Sequence, residues 1–317
     1  MTIVLYEDWM KPQIVKLFGD QYGIKEEDFS LLIDRFYEHP YQKNKCLRIV
    51  ALDDKKVIGF QSFFYWPYNY ASKIYNSYQS GNSLVHPDYR GKGIFQKLLN
   101  YIDNQQKELK IDFLMGFPVE DSFKSFIKNN WHNSLNLNWH VKIINPFGFL
   151  FSLKNCSAHF QSEPVVLTDS ILNNQFRLSS DASFEDWRNA YRNTIPTFFY
   201  NYSEGNKKIT FYLKTNKRNK WLNELILGDI RSNTYEKEFI TRALKKLRKK
   251  TFTCFSISII SIALNDHSNT IIQECLIKSG YRKIKKSIYF ITKAFTEKEL
   301  VEDPKNWVLY RGDIDTW

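Results

Sequence analysis

Cysteine is scarce and scattered in this sequence. The 317 residues hold four, at positions 46, 156, 254 and 275, with no CxxC pair among them. That spacing argues against zinc and against a disulfide scaffold, and it fits a reducing compartment. Long apolar runs are also missing. The longest, Phe255 to Leu264, is ten residues and contains three serines, whereas a membrane helix needs about 20. It reads as a buried strand. Met1 to Asp20 mixes acids with lysines and does not read as a signal peptide, so the expectation is a cytoplasmic protein. Short-period repeats and low-complexity tracts are absent as well. What is abundant is aromatic: 16% of residues, within a mix of 43% hydrophobic and 25% charged. That is a globular composition with ample material for a core.

The net charge of +11 is unevenly shared. Residues 1–150 carry 18 basic and 16 acidic side chains, and residues 151–317 carry 27 and 18. Nucleic acid, an anionic membrane surface or a phosphorylated ligand would each account for a basic half, as would a solvated face.

Patterning along the chain alternates between strand and helix. Ile3 to Tyr6 reads as a strand. Glu26 to Tyr37 spaces Phe29, Leu32, Ile33 and Phe36 as a helix does. Leu47 to Leu52 and Lys56 to Tyr65 read as a hairpin, and Tyr75 to Val85 as a further strand. Ile94 to Lys110 reads as a helix, Ile111 to Phe117 as a strand, and Asp121 to Asn129 as a helix. This order predicts an α+β domain with a mixed sheet over residues 1–150. Residues 151–174 form a connector. Residues 175–317 then repeat the plan roughly: helix Phe184 to Asn193, strands Lys208 to Lys214 and Glu224 to Asp229, and a basic helix Tyr235 to Lys249. Strand Phe252 to Ile262, helix Thr270 to Ser279 and strand Ser287 to Thr292 complete it.

The stretch with the clearest chemistry is Leu84-Val85-His86-Pro87-Asp88-Tyr89-Arg90-Gly91-Lys92-Gly93-Ile94-Phe95. A strand enters a turn and a helix begins at once. Gly91 and Gly93 let backbone approach a ligand closely. The unpaired amides at the helix start make an anion site, reinforced by Arg90 and Lys92. The spacing is neither a Walker A loop nor a dinucleotide fingerprint.

This stretch resembles the acyl-CoA signature of the GCN5-related N-acetyltransferase (GNAT) superfamily. It matches at Val85, Pro87, Arg90, Gly91, Gly93, Ile94, Leu98 and Leu99, and departs at Phe95, where the family has Gly or Ala. The resemblance implies a GNAT fold with a mixed, mostly antiparallel sheet. It implies that amides from Gly91 to Phe95 hold the CoA pyrophosphate, and that Leu84 and Val85 pair with the pantetheine arm. It continues through Phe113 to Pro118, Ser122, Phe126 and Trp131. Many members place a Tyr general acid in this helix, where this chain has Phe126. Trp187-Arg188, Pro196 and Tyr200, and a tail from Asn306 to Thr316 containing Gly312-Asp313-Ile314-Asp315, are similar to two-domain members found in bacterial surface-polysaccharide gene clusters. In those proteins the second domain is GNAT-like and lacks the CoA loop.

The implied reaction is direct attack of an amine on an acyl-CoA thioester, without a metal. It needs alignment, an N–H for the developing oxyanion and a base. Candidates for the chemistry are Asn82, Ser83, His86, Glu120 and Asp313. Tyr78 and Asp121 also come into question, Asp121 reading more readily as a helix cap. Tyr65, Trp66, Tyr68 and Asp315 are candidates for the acceptor pocket. The expected acceptor is a dTDP- or UDP-linked amino sugar, acylated with acetyl or a longer group such as hydroxybutanoyl, for polysaccharide or O-antigen synthesis. No nucleic-acid or membrane partner is expected, and an oligomer is compatible. Two other readings stay open: a peptide or lysine acyltransferase, and an anion-binding protein with a vestigial CoA loop. The latter is motivated by Lys207 to Lys250, with 14 basic and 4 acidic residues.

Overall fold

The computed structural model describes residues 1–154, 156–166, 174–191 and 196–317. The first half runs β1 (Thr2–Leu5), α1 (Lys11–Tyr22), α2 (Glu26–Tyr37), β2 (Leu47–Asp53), β3 (Lys56–Tyr65), β4 (Tyr68–Tyr70), β5 (Lys73–Tyr75), β6 (Ser77–Val85), α3 (Ile94–Gln105), β7 (Phe113–Gly116), α4 (Glu120–Lys128) and β8 (His132–Ile143). The second half runs β9 (Arg177–Leu178), α5 (Ala182–Tyr191), β10 (Phe198–Glu204), β11 (Lys207–Asn219), β12 (Leu222–Ser232), α6 (Lys237–Phe252), β13 (Ile259–Asn265), α7 (Thr270–Lys278), β14 (Arg282–Ala294) and α8 (Lys298–Glu302). This is an α+β fold.

Eleven strands form one sheet in the order β1-β2-β3-β6-β7-β14-β8-β13-β12-β11-β10. Strand β14, from the second half, lies between β7 and β8 of the first and pairs antiparallel with both. The halves are therefore interlocked through a shared sheet centre. Only two neighbouring pairs are parallel, β6 with β7 and β12 with β13.

These two pairs have the same form. Strands β6 and β7 match for four residues, Ser77 with Phe113 to Ser80 with Gly116, and then part. Strands β12 and β13 also match for four, Glu224 with Ile259 to Leu227 with Ile262, and then part. In the second pair the gap is filled by the chain's own tail. Tyr310 bridges Leu264, the Asn265 amide donates to the Leu309 carbonyl at 3.0 Å, and Gly312 lies against Gly228.

Helix α2 shows why the local pattern folds as it does. Its acids Glu26, Glu27 and Asp28 sit in the first turn and Arg35 in the last, complementing the helix dipole. Phe29, Ile33, Phe36 and Tyr37 form its buried face. Helix α3 packs Ile94 and Leu98 directly onto β3 at Gly59, where a Cβ would come within 3.1 Å of Ile94.

Several expectations change. Helix α1 was not foreseen; Pro12 opens it, at a position where proline costs no hydrogen bond. Strand β8 was also missed, although Leu135, Leu137 and Trp139 are buried at period two between asparagines. The strand expected over Phe252 to Ile262 begins only at Ile259. Helix α6 runs through Phe252, and Phe255 takes a left-handed φ of 50°, which turns the chain before the strand. The last two residues of the helix expected to reach Asn193 lie outside the described residues.

Candidate functional site

The turn after β6 begins with a short 3-10 segment, Pro87–Tyr89. Gly91 and Gly93 follow with φ of 76° and 73°, and a Cβ at either would meet nothing within 4 Å. Their requirement for glycine is therefore conformational, and the space in front of them is open. Gly93 caps α3 without any side-chain hydrogen bond. The first amides of α3 have no partner within the helix, as at any helix start. Arg90 turns back, donating from Nε to the Val85 carbonyl at 3.1 Å and from Nη2 to Gln21 Oε1 at 2.6 Å. Lys92 Nζ lies 4.8 Å from the Tyr89 ring centroid. Phe95 packs edge-on against Phe126, which is buried on Trp131.

Beyond Ser80, β6 keeps its β3 partner but loses β7. Leu84 pairs with Phe60 and Val85 with Gly59, so their other edge faces the gap between β6 and β7. The register with β3 slips between Phe60 and Ser62, and Asn82 takes a φ of 46°. This is a β-bulge. A polar network braces it. Asn82 Nδ2 donates to Tyr37 Oη at 2.6 Å, Tyr37 Oη to Ser62 Oγ at 2.8 Å, and Ser62 Oγ to the Gly81 carbonyl at 2.6 Å. Gln61 Nε2 donates to Ser80 Oγ at 3.0 Å, and Ser83 Oγ donates to Gln61 Oε1. Burial pushes the Tyr37 phenol well above its ordinary range, against the pull of its Ser62 and Asn82 hydrogen bonds. It stays neutral in any ordinary buffer.

A cavity of about 430 Å³ opens beside this bulge. One wall is apolar, from Phe29, Ile33 and Phe36 of α2. Asn82 and Tyr37 form its edge. The opposite wall comes from the second half, with Lys214, Asn216, Arg311 and Asp315. A neighbouring cavity of about 490 Å³ shares Lys214 and Trp317 with it and is lined by Arg188, Asp229, Arg231 and Asp313. Arg231 Nε donates to Asp229 at 2.8 Å. Asp313 is buried and accepts from the Tyr310 amide at 2.6 Å. Its carboxyl is pushed up to about 7, chiefly by burial and then by the charge of Asp229, against the Tyr310 hydrogen bond and the pull of Arg177 and Arg188.

The structure thus gathers some candidates and separates others. Asn82 and Asp315 share the first cavity, and Asp313 faces the second. Ser83, His86 and Glu120 line neither. His86 is occupied within its own turn, where Nδ1 accepts from the Asp88 amide at 3.3 Å. Glu120 is exposed in the first turn of α4, as is Asp121. Trp66 and Tyr68 correct the acceptor-pocket expectation: both are fully buried. Trp66 packs on Phe184 and Trp187, and Tyr68 on Trp307. Their strand end is covered because β4 pairs with β9 from the second half. Tyr65 is half-buried against Tyr78 and Tyr41. Residues of α2, Tyr37, Lys214 and Arg311 were not anticipated, since only the fold brings them to the bulge. Among the described residues no group of three or more His, Cys, Asp or Glu is placed to hold a metal ion. No described helix is long and apolar enough to cross a membrane.

Comparison with known proteins agrees with this geometry. Residues 6–125 match the family model for the acetyltransferase (GNAT) domain. No curated protein matches the sequence significantly. Among solved structures, a GCN5-related N-acetyltransferase from Anabaena variabilis ATCC 29413 is similar over 92% of this chain and 72% of its own, with TM-score 0.63 and 12% identity. A conserved protein from Enterococcus faecalis V583 covers 92% and 72%, with TM-score 0.59 and 10% identity. Saccharomyces cerevisiae N-myristoyltransferase with bound myristoyl-CoA covers 92% and 78%, with TM-score 0.52 and 10% identity. At these identities the likeness is one of fold, and it runs through both halves of the chain.

Proposed function

We propose, on the premise that this chain belongs to the GNAT superfamily through residues 6–125 and is a CoA-dependent acyltransferase, that it acylates the amine of a nucleotide-linked amino sugar held in the cavity beside α2. The observation that carries the reading is the position of that cavity. It meets β6 at the Asn82 bulge, where the strand leaves β7, and its opposite wall bears Lys214, Arg311 and Asp315. Acetyl is the default acyl group, and a longer one such as hydroxybutanoyl is included.

The residues divide the work as follows. Amides from Gly91 to Phe95 hold the pyrophosphate, with no side chain in the way. The free edge of β6 at Leu84 and Val85 pairs with the pantetheine arm and directs the thioester toward Asn82. Backbone N–H groups of that edge receive the developing oxyanion. The apolar wall from α2 covers the sugar face, and Asp315 holds the acceptor ammonium and takes its proton. The amine nitrogen attacks the thioester carbonyl carbon, a C–N bond forms, the C–S bond breaks, and the thiolate leaves as CoA. Phe126 has no proton to give, so the second proton, lost by the nitrogen once the C–N bond has formed, passes to the thiolate directly or through solvent. The second cavity, with Arg188 and Arg231, supports the diphosphate of the acceptor. In this reading residues 1–150 bind acyl-CoA, and residues 175–317, joined through 151–174, supply acceptor walls in a cytoplasmic enzyme of surface-polysaccharide or O-antigen synthesis.

The test is thiol release from acetyl-CoA and hydroxybutanoyl-CoA with a panel of dTDP- and UDP-linked amino sugars. Turnover with at least one supports the proposal. No release with any of them, or release only with lysine peptides, overturns it.

A further inference from the structure

We propose that the second half carries a separate oxyanion site for a small ligand bearing two or more phosphoryl charges, in the pocket between α6, α7 and the start of β14. The pocket has a volume of about 330 Å³ and shares no residue with the two cavities described above. Five cations line it: Lys142 from β8, Lys245, Arg248 and Lys249 from α6, and Lys278 from α7. No carboxylate is among the described residues on its walls. Earlier on α6 the cations are neutralised, Lys237 by Glu274 and Arg242 by Glu204. From Lys245 onward no described residue forms an ion pair with these five.

The buried part of the pocket supplies the second observation. Tyr281 is only 3% exposed and its Oη has no hydrogen-bond partner among the described residues. Ser279 is 8% exposed and its Oγ is likewise unpartnered. A buried hydroxyl without a partner is costly, typically about 1–3 kcal/mol. Two such donors in one cation-lined pocket match the acceptor oxygens of a phosphoryl group. Lys142 is held below its ordinary value by burial and by Arg248, which is what a bound anion would reverse. Helix dipoles explain Lys249 and Lys278, which lie in last turns. Lys142 also caps α7, donating from Nζ to the Ser279 carbonyl; neither effect explains Lys245 or Arg248. The depth of the two hydroxyls favours a compact phosphoryl group over a nucleic-acid backbone or a membrane.

The test is calorimetric titration with inorganic pyrophosphate and with UDP, in low salt and saturating CoA so that the loop after β6 is filled. The expected result is one equivalent of pyrophosphate bound by the wild type beyond any taken up in the Arg188 and Arg231 cavity. The exposed double variant Lys245→Ala/Arg248→Ala should weaken it about tenfold or more. Tyr281→Phe should weaken it several-fold without lowering the unfolding midpoint, because the lost hydroxyl has no protein partner. UDP binding that depends on Arg248 identifies a nucleotide as the source of the phosphoryl group; pyrophosphate binding without it identifies free phosphate. Absence of pyrophosphate and UDP binding, or binding untouched by both variants, overturns the proposal. So does Arg248-dependent binding of single-stranded DNA or anionic vesicles alone. Acceptor acylation is read separately, so failure of either proposal leaves the other standing.

Discussion

Gly312 lies directly on the backbone of Gly228. A Cβ added at Gly312 would come within 2.9 Å of the Gly228 carbonyl carbon, and one added at Gly228 would run into the Trp317 ring. The contact seals the tail into the gap between β12 and β13. Among the described residues, no such segment enters the corresponding gap between β6 and β7. The second half therefore repeats the sheet geometry of the first, with its own tail where the first half has an open strand edge.

The first prediction follows from that contact. Gly312→Ala should destabilise the protein by about 1–3 kcal/mol, the usual cost of overpacking, and Gly228→Ala should do the same through Trp317. Urea unfolding measures both. Midpoints equal to wild type would mean that the tail is not seated in the gap.

The loop after β6 gives the second. Gly91 and Gly93 are left-handed and face open space, so Ala at either position costs about 1–2 kcal/mol of backbone strain and tilts the amides away from a phosphate. The KM for acyl-CoA should rise about tenfold with the KM for acceptor unchanged. Arg90→Ala should do less. Its guanidinium is held by Val85 and Gln21 and stiffens the turn more than it faces the opening.

How far the sequence reaches depends on the range of the contacts involved. The turn from Val85 to Phe95 was legible because its conformation is local, and glycine spacing encodes it. Helix α2 was legible from periodicity for the same reason. The insertion of β14 between β7 and β8 was not, since strand order is set by pairings between residues more than 100 positions apart. Trp66 and Tyr68 misled because an aromatic strand end looks alike whether it lines a pocket or meets β9. The Trp187-Arg188 pair turns out to be an anchor. Trp187 Nε1 donates to the Phe36 carbonyl at 2.9 Å, and Arg188 Nη2 to the Gly312 carbonyl at 2.6 Å, tying α5 to α2 and to the tail.

Asp313 sets the third prediction. Its carboxyl rises from the ordinary 3.8 to about 7, through burial and Asp229, despite the Tyr310 amide, Arg177 and Arg188. Between these two values the folded chain binds more protons at this site than the unfolded chain. Its contribution to stability is present at low pH and is lost as pH rises through that window. Asn at this position can still accept from the Tyr310 amide and carries no charge. Asp313→Asn should therefore remove this loss, and its stability should fall less than that of wild type between pH 4 and pH 7. Denaturant midpoints across that range measure it. Parallel curves for the two proteins would show that Asp313 does not titrate there.

The last prediction separates acceptor handling from acyl-CoA binding. Asp315 and Asn82 line one cavity, while the Gly91–Gly93 turn follows the far end of the free β6 edge. If Asp315 receives the ammonium proton, Asp315→Asn removes a base and should lower kcat about a hundredfold or more, with the KM for acyl-CoA unchanged. Asn82→Ala acts differently. It deletes the donor to Tyr37 Oη and places alanine at a positive φ that asparagine tolerates better. It should loosen the bulge and shift both KM values modestly, with a smaller effect on kcat. A log kcat against pH slope that persists in Asp315→Asn as in wild type would assign the proton to another group, and water entering from the cavity mouth would then be the acceptor.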